Sequence, residues 1–166
     1  MFNGNICQDD CIEEKIVAKL KEKGWQVTCA ESCTGGMIAS TLVNVAGVSE
    51  VFGESYVTYA NSAKNKLLGV EKKALETWGA VSRQVAEQMA AGAAKAASAQ
   101  AAIAVTGVAG PGGGTREKPV GLVYIGCFAD GKVTVTENHF TGNRPEIRRQ
   151  TTRAALTLLY NCLMER

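Results

Sequence analysis

The chain has 166 residues, of which 18 are lysine or arginine and 16 are aspartate or glutamate, giving a net charge of +2. This length is typical of one domain, which we expect to span residues 1–166. So small a net charge disfavours nucleic acid as a partner, because phosphate neutralisation needs a strong basic field. No apolar stretch approaches the ~20 residues that cross a membrane, so we expect no membrane partner.

The N-terminal sequence MFNGNICQDDCIEEK lacks the basic start and the apolar stretch of a secretory signal. We therefore expect a cytoplasmic protein whose six cysteines are thiols. Cys7 and Cys11, like Cys29 and Cys33, are separated by three residues, a spacing that zinc sites also use. Because Cys29 is predicted in a strand and the only histidine, His139, is distant in sequence, we predict buried apolar roles and no metal site.

The first half of the chain alternates helical and extended patterns. Ile12, Ile16, Val17 and Leu20 share one helical face, and Gly24 marks the end of that helix. The predicted elements are a helix over 10–23, a strand over 25–30, a helix over 37–45, a β-rich stretch over 51–60, a helix over 61–68 and a brief segment over 71–77.

The second half predicts a long alanine-rich helix from a Ser82 cap to about Ser98, then a buried strand over 101–106. A hairpin follows over 119–129 and 132–140, and Asp130-Gly131 is typical of its turn. Asn143 is the predicted cap of the last helix. Together these elements predict an α/β protein: a three-layer α/β/α sandwich whose central sheet is mixed and mostly parallel.

Two glycine-containing loops follow predicted strands, one at residues 32–36 and one at residues 107–114. In α/β sheets such loops lie at the carboxyl ends of strands, where ligands bind. Neither loop matches the Walker A or the dinucleotide pattern. They are either ordinary tight turns or a cradle for a phosphate-bearing ligand, and the presence of two favours the cradle.

Ser32 lies in the first of these loops, where a serine is either a nucleophile or a helix cap. A nucleophile needs a base, and His139 has the pattern of a surface strand residue. The alternative base is Lys64, near Tyr59, unless it is simply a solvated helix residue. As a base its pKa must fall from ~10.4 to ~7–8 through burial and positive potential.

Three arginines, Arg144, Arg148 and Arg149, cluster at the start of the last helix. Such a cluster suits a phosphate or a carboxylate, although a solvated helix face has the same composition. Thr106, at the end of the buried strand, is the remaining polar candidate.

Six segments give the chain a specific resemblance. They are AESCTGG (30–36), TYANSAK (58–64), GAVS (79–82), TGVAGPGGG (106–114), EKPVG (117–121) and GNRPEIRRQT (142–151). In this order they resemble the CinA C-terminal domain family, over about residues 10–163. Free-standing members of that family deamidate nicotinamide mononucleotide. The sequence lacks the N-terminal domain of the long members, so we expect a stand-alone enzyme.

The resemblance implies an amidase with neither cofactor nor metal, acting in the cytoplasm as a homodimer. Ser32 would be the nucleophile, Lys64 the base, and Tyr59 a positioning or proton-relaying group. The residues implied to contact nicotinamide mononucleotide are Glu31, Thr34, Gly35, Gly36, Thr106, Gly107, Gly110 and Gly112, with Arg144 and Arg149 for its phosphate.

Two other functions remain open at this stage. One is a binding module that holds a pyridine nucleotide without catalysis. The other is redox or thiol chemistry at Cys33, whose pKa a helix N-terminus would lower.

Overall fold

A computed structural model describes residues 11–165, so Cys7 and the predicted helix start at Asp10 lie outside the described residues. Five strands and six α-helices are present in this range, with a short 3-10 helix at Val48–Glu50. The strands are β1 (Val27–Glu31), β2 (Tyr56–Val57), β3 (Ala101–Gly107), β4 (Leu122–Ala129) and β5 (Lys132–His139). The helices are α1 (Ile12–Lys23), α2 (Met37–Leu42), α3 (Asn61–Leu68), α4 (Lys72–Trp78), α5 (Arg83–Ala96) and α6 (Arg144–Met164).

The predicted helix caps are confirmed. The Ser82 hydroxyl accepts the N–H of Val85 at the start of α5. Asn143 and Glu146 exchange side-chain and backbone hydrogen bonds at the start of α6, which is a complete capping box. Each bond satisfies an N–H that the first helical turn leaves without a partner.

The sheet has the strand order β2-β1-β3-β4-β5. Strand β1 pairs in parallel with β2 and β3, whereas β4 is antiparallel to both β3 and β5. The sheet is therefore mixed, as predicted. Four of the five strands share one direction, although only two of the four pairings are parallel.

Helices cover both faces of the sheet, which confirms the three layers. On one face α1, α2 and α6 enclose a core of large aliphatic side chains, among them Ile16, Leu20, Ile103 and Leu159. On the other face α3, α4 and α5 pack through small side chains, largely the alanines of α5. Small residues allow α5 to approach the sheet closely. No helix among residues 11–165 is long and apolar enough to cross a lipid bilayer.

The prediction of an extended strand over 51–60 is wrong, because only Tyr56 and Val57 form a strand beside β1. Phe52 makes a single bridge to Val27, and the Glu54 carbonyl accepts the Thr28 hydroxyl at 2.8 Å instead of a strand N–H. This segment lies at the edge of the sheet, where only one side of the strand has a pairing partner. The apolar pattern of residues 51–60 therefore reflects packing against neighbouring helices and strands more than strand pairing.

Candidate active site

The carboxyl ends of β1, β2 and β3 meet at one edge of the sheet because the three strands are parallel. The segments that follow them are tied side by side. The Ser32 N–H donates to the Val105 carbonyl at 3.1 Å, and the Thr58 N–H donates to the Glu31 carbonyl at 2.9 Å. The AESCTGG, TYANSAK and TGVAGPGGG segments thus converge at the edge where α/β proteins bind ligands.

Ser32 and Lys64 are in direct contact at this edge. Lys64 Nζ lies 3.1 Å from Ser32 Oγ, and it donates to the carbonyls of Thr58 and Tyr59 at 2.7 and 3.3 Å. Only 1% of Lys64 is exposed, whereas Ser32 is half-buried at the mouth of the site. Burial disfavours the charged amine and lowers the pKa of Lys64 from 10.5 to about 8.

The environment of Lys64 decides what its amine can do. A neutral amine has two N–H bonds and one lone pair. The carbonyls of Thr58 and Tyr59 accept the two N–H bonds, so the lone pair remains for the hydroxyl proton of Ser32. This is the arrangement that a general base requires.

The turn after Ser32 is held from beneath by Glu31, whose side chain is fully buried. Its carboxylate accepts the N–H groups of Gly36, Ile38 and Ala39 at 2.9, 3.1 and 2.9 Å. The resemblance implied that Glu31 contacts substrate, but the structure turns its carboxylate into the protein. Glu31 anchors the turn and the start of α2 instead.

Gly35 and Gly36 give that turn its shape. Their φ angles are 59° and 99°, in the left-handed region where a Cβ is unfavourable. Both residues lie beside the site, with Gly35 exposed. Thr34 is fully buried, and its hydroxyl has no hydrogen-bond partner among the described residues.

Arg148 is a site residue to which the sequence patterns assigned no individual role. Its Nε donates to the Cys33 carbonyl at 3.0 Å, and a terminal nitrogen donates to the Thr34 carbonyl at 2.6 Å. The spacing of the three arginines does not reveal which of them faces the turn. Only the packing of α6 on the sheet rotates Arg148 toward it.

Arg144 joins the second glycine loop to Tyr59. One terminal nitrogen donates to the Gly110 carbonyl at 2.8 Å, and the other donates to the Tyr59 hydroxyl at 3.1 Å. Tyr59 is 62% exposed, so this bridge lies at the open side of the site. The structure thus brings two predicted residues, Gly110 and Tyr59, together around the guanidinium of a third, Arg144.

Thr106 and the glycines after it complete the edge. Thr106 is 1% exposed, and its hydroxyl donates to the Ala80 carbonyl at 2.8 Å, which ties β3 to the GAVS segment. A Cβ at Gly107 would collide with Val123 and with the carbonyl oxygen of Leu122, so this position requires glycine. Gly112 is exposed, with open space around it.

Arg149 lies elsewhere. It is exposed and lines a groove of about 610 Å³ between α1, α2 and α6, which neither Ser32 nor Lys64 lines. Adjacent residues of a helix differ by about 100° in direction, so Arg148 and Arg149 cannot both face the turn. The structure therefore gives no support to Arg149 as a phosphate ligand.

The alternative based on a reactive Cys33 is wrong in its premise. Cys33 is 5% exposed, and burial raises the pKa of its thiol to about 11. His139 is a surface residue at the end of β5, where its Nε2 lies 2.9 Å from Glu137. No group of three histidine, cysteine or acidic side chains within residues 11–165 is placed to bind a metal ion.

The fold and the site define a class, an α/β protein with a buried lysine against a serine at the carboxyl edge of its sheet. Residues 9–163 match the family described as the CinA C-terminal domain, and the chain belongs to that family.

Individual relatives agree with this assignment. The chain is 50% identical over 152 residues to the nicotinamide-nucleotide amidohydrolase PncC of Enterobacter agglomerans, covering 91% of each chain. It is 46% identical over 156 residues to a CinA-like protein of Kosmotoga olearia, covering 94% of this chain and 38% of that one. The crystal structure of the competence/damage inducible protein CihA from Agrobacterium tumefaciens superposes with a TM-score of 0.88, at 46% identity over 98% of both chains. The chain spans 34–38% of the length of several curated relatives that it matches.

Proposed function

We propose that this protein hydrolyses nicotinamide mononucleotide to nicotinic acid mononucleotide and ammonia through an acyl-enzyme on Ser32. The observation that carries the proposal is the contact between Ser32 Oγ and Lys64 Nζ, in which burial lowers the pKa of the lysine to about 8. The substrate is suggested by the amidohydrolase from Enterobacter agglomerans, which this chain matches over almost its full length. The two arguments are independent, because the Ser32–Lys64 contact concerns the reaction type and the similarity to the amidohydrolase concerns the substrate.

Acylation begins with neutral Lys64. Its lone pair takes the Ser32 hydroxyl proton while Oγ bonds to the carboxamide carbon, and the carbonyl electron pair moves onto oxygen. Backbone N–H groups of the turn at residues 32–36 stabilise that oxyanion. The intermediate then collapses, the C–N bond breaks, and Lys64 returns the proton to the nitrogen, which leaves as ammonia.

Deacylation repeats the same steps with water. Lys64 takes a proton from water as its oxygen bonds to the acyl carbon, and the C–Oγ bond breaks when the second intermediate collapses. Lys64 then returns the proton to Ser32. Every proton is carried by the lysine, so we propose that the reaction needs neither metal nor cofactor.

The substrate phosphate is proposed to bind at the open side of the site, near Arg144. The guanidinium there is half-buried and already oriented by Gly110 and Tyr59. Exposed loop glycines such as Gly112 leave room beside it. A phosphate held away from the reacting carbon supplies binding energy that positions the amide. From the family resemblance we also propose a homodimer that acts in the cytoplasm.

The experiment that tests the proposal is ammonia release from nicotinamide mononucleotide by purified protein with EDTA present. We expect turnover by the wild type and none by Ser32→Ala, with an unchanged melting temperature because Ser32 is only half-buried. Ser40→Ala, at an exposed position of α2, is the matched control and should retain activity.

Two other results would reject parts of the proposal. Turnover by correctly folded Ser32→Ala would exclude Ser32 as the nucleophile. If the wild type releases no ammonia while the mononucleotide raises its melting temperature, the protein is a binding module and not an amidase.

A further inference from the structure

The side chain of Arg148 holds two consecutive carbonyl groups of the turn that follows Ser32. Its Nε contacts the Cys33 oxygen at 3.0 Å, and a terminal nitrogen contacts the Thr34 oxygen at 2.6 Å. A guanidinium carries its N–H groups in one rigid plane, so it holds two acceptors in a defined relative orientation. Arg148 therefore sets the orientation of both peptide groups.

Each of these peptide groups also carries an N–H, one from Thr34 and one from Gly35. Both peptide bonds are trans. In a planar trans peptide the C=O and N–H bonds point in opposite directions, so the two N–H bonds point away from Arg148. Neither N–H donates a hydrogen bond to another group within residues 11–165, whereas the next N–H, of Gly36, is bound by Glu31.

The layers of the fold show where these two N–H bonds point. Arg148 belongs to α6, which lies on one face of the sheet with α1 and α2. Lys64 belongs to α3, which packs on the opposite face with α5. N–H bonds that point away from α6 are therefore directed to the side from which Lys64 reaches Ser32.

We propose that Arg148 is a positioning residue that aligns the N–H groups of Thr34 and Gly35 as the donors for the oxyanion formed when Ser32 attacks. This inference rests on the proposed acyl-transfer function and deepens it. Both of these Arg148 contacts are with carbonyl groups of the turn, so the proposed role is positioning and not contact with the substrate. Its contribution is made in the transition state, where negative charge develops on oxygen.

The first test is the steady-state kinetics of Arg148→Ala and Arg148→Lys with nicotinamide mononucleotide. A misplacement of about 1 Å at a reacting group lowers rates by about 100-fold, so we expect kcat to fall by about 10- to 100-fold with KM within about twofold. Lysine has one charged nitrogen and cannot span both carbonyls in a plane, so it should restore stability better than kcat. Arg153→Ala, an exposed arginine on the same helix, is the matched control.

Chemical rescue separates positioning from a merely structural role. Millimolar guanidinium should raise the kcat of Arg148→Ala in a saturable manner and should leave Ser32→Ala inactive. The inference is overturned if both Arg148 variants keep kcat within about twofold of the wild type. It is also overturned if the loss of kcat in these variants parallels a fall in their melting temperature and guanidinium does not raise kcat.

A second readout does not depend on the substrate. A fluorophosphonate places its phosphoryl oxygen where the oxyanion forms, so the labelling rate of Ser32, followed by mass spectrometry, reports the same donors. If the wild type is labelled but releases no ammonia, slower labelling of Arg148→Ala still supports the inference while the proposed substrate is rejected. If Ser32 of the wild type is not labelled and the wild type does not turn over nicotinamide mononucleotide, both proposals fail.

Discussion

The pH dependence of the reaction is the sharpest consequence of burying Lys64. A base with a pKa of about 8 is about 9% neutral at pH 7 and about 91% neutral at pH 9. We therefore expect kcat/KM to rise about tenfold between pH 7 and pH 9 and then to level off. An exposed lysine with its pKa at 10.5 would be about 300-fold less neutral at pH 7, so burial provides most of the available base.

The assay is initial-rate ammonia release from nicotinamide mononucleotide at half-unit pH steps, with active-site content determined at each pH. A rate that continues to rise tenfold per unit beyond pH 9 would refute the reasoning, because it would require a lysine with an ordinary pKa. A flat profile between pH 7 and pH 9 would refute it equally.

The same burial predicts a stability change that does not depend on turnover. The folded pKa of about 8 lies below the unfolded value of 10.5, so between these pH values the unfolded chain binds more protons. Folding stability should rise by about 3 kcal/mol as the pH increases across this window, and this contribution should be lost as the pH falls from 10.5 through 8. Urea unfolding of wild type and Lys64→Met at pH 7 and pH 10.5 isolates this effect, because other groups titrate equally in both. An unchanged difference between the two proteins would show that Lys64 has no lowered pKa.

Three further predictions concern the supports of the site. The Glu31 carboxylate faces three N–H groups, and Glu31→Gln replaces one of its oxygens by an N–H donor. We expect the free energy of unfolding to fall by about 2 kcal/mol and the melting temperature to fall by about 4–8 °C. An unchanged melting temperature would show that these bonds are not made. Gly92→Ala places a Cβ against the carbonyl of Leu68, in the helix that carries Lys64, so it should lower both the melting temperature and the activity. Gly53 has open space around it, so the control variant Gly53→Ala should change neither. Arg144→Ala should raise KM for the mononucleotide about 10- to 100-fold and leave KM for the nucleoside without phosphate unchanged; equal increases for both would exclude a phosphate contact.

Local sequence determined the elements whose signals lie within a few residues. The Ser82 cap and the Asn143–Glu146 capping box define where α5 and α6 begin, because the bonds involved close over one helical turn. The hairpin turn at Asp130-Gly131 was also predictable, since both residues have positive φ, as that turn requires. The strand predicted over 51–60 was not, because pairing at a sheet edge depends on a neighbouring strand and not on the segment itself.

Tertiary structure decided the site. Ser32 and Lys64 are 32 residues apart, and their contact exists only because β1 and β2 are parallel neighbours whose carboxyl ends meet. The lowered pKa of Lys64 likewise arises from burial among distant segments. The choice between Arg148 and Arg149 follows from the rotation of α6, which its long-range packing sets. Residue types and their spacing therefore nominate the reacting groups, whereas distance, burial and orientation depend on contacts between segments far apart in the chain.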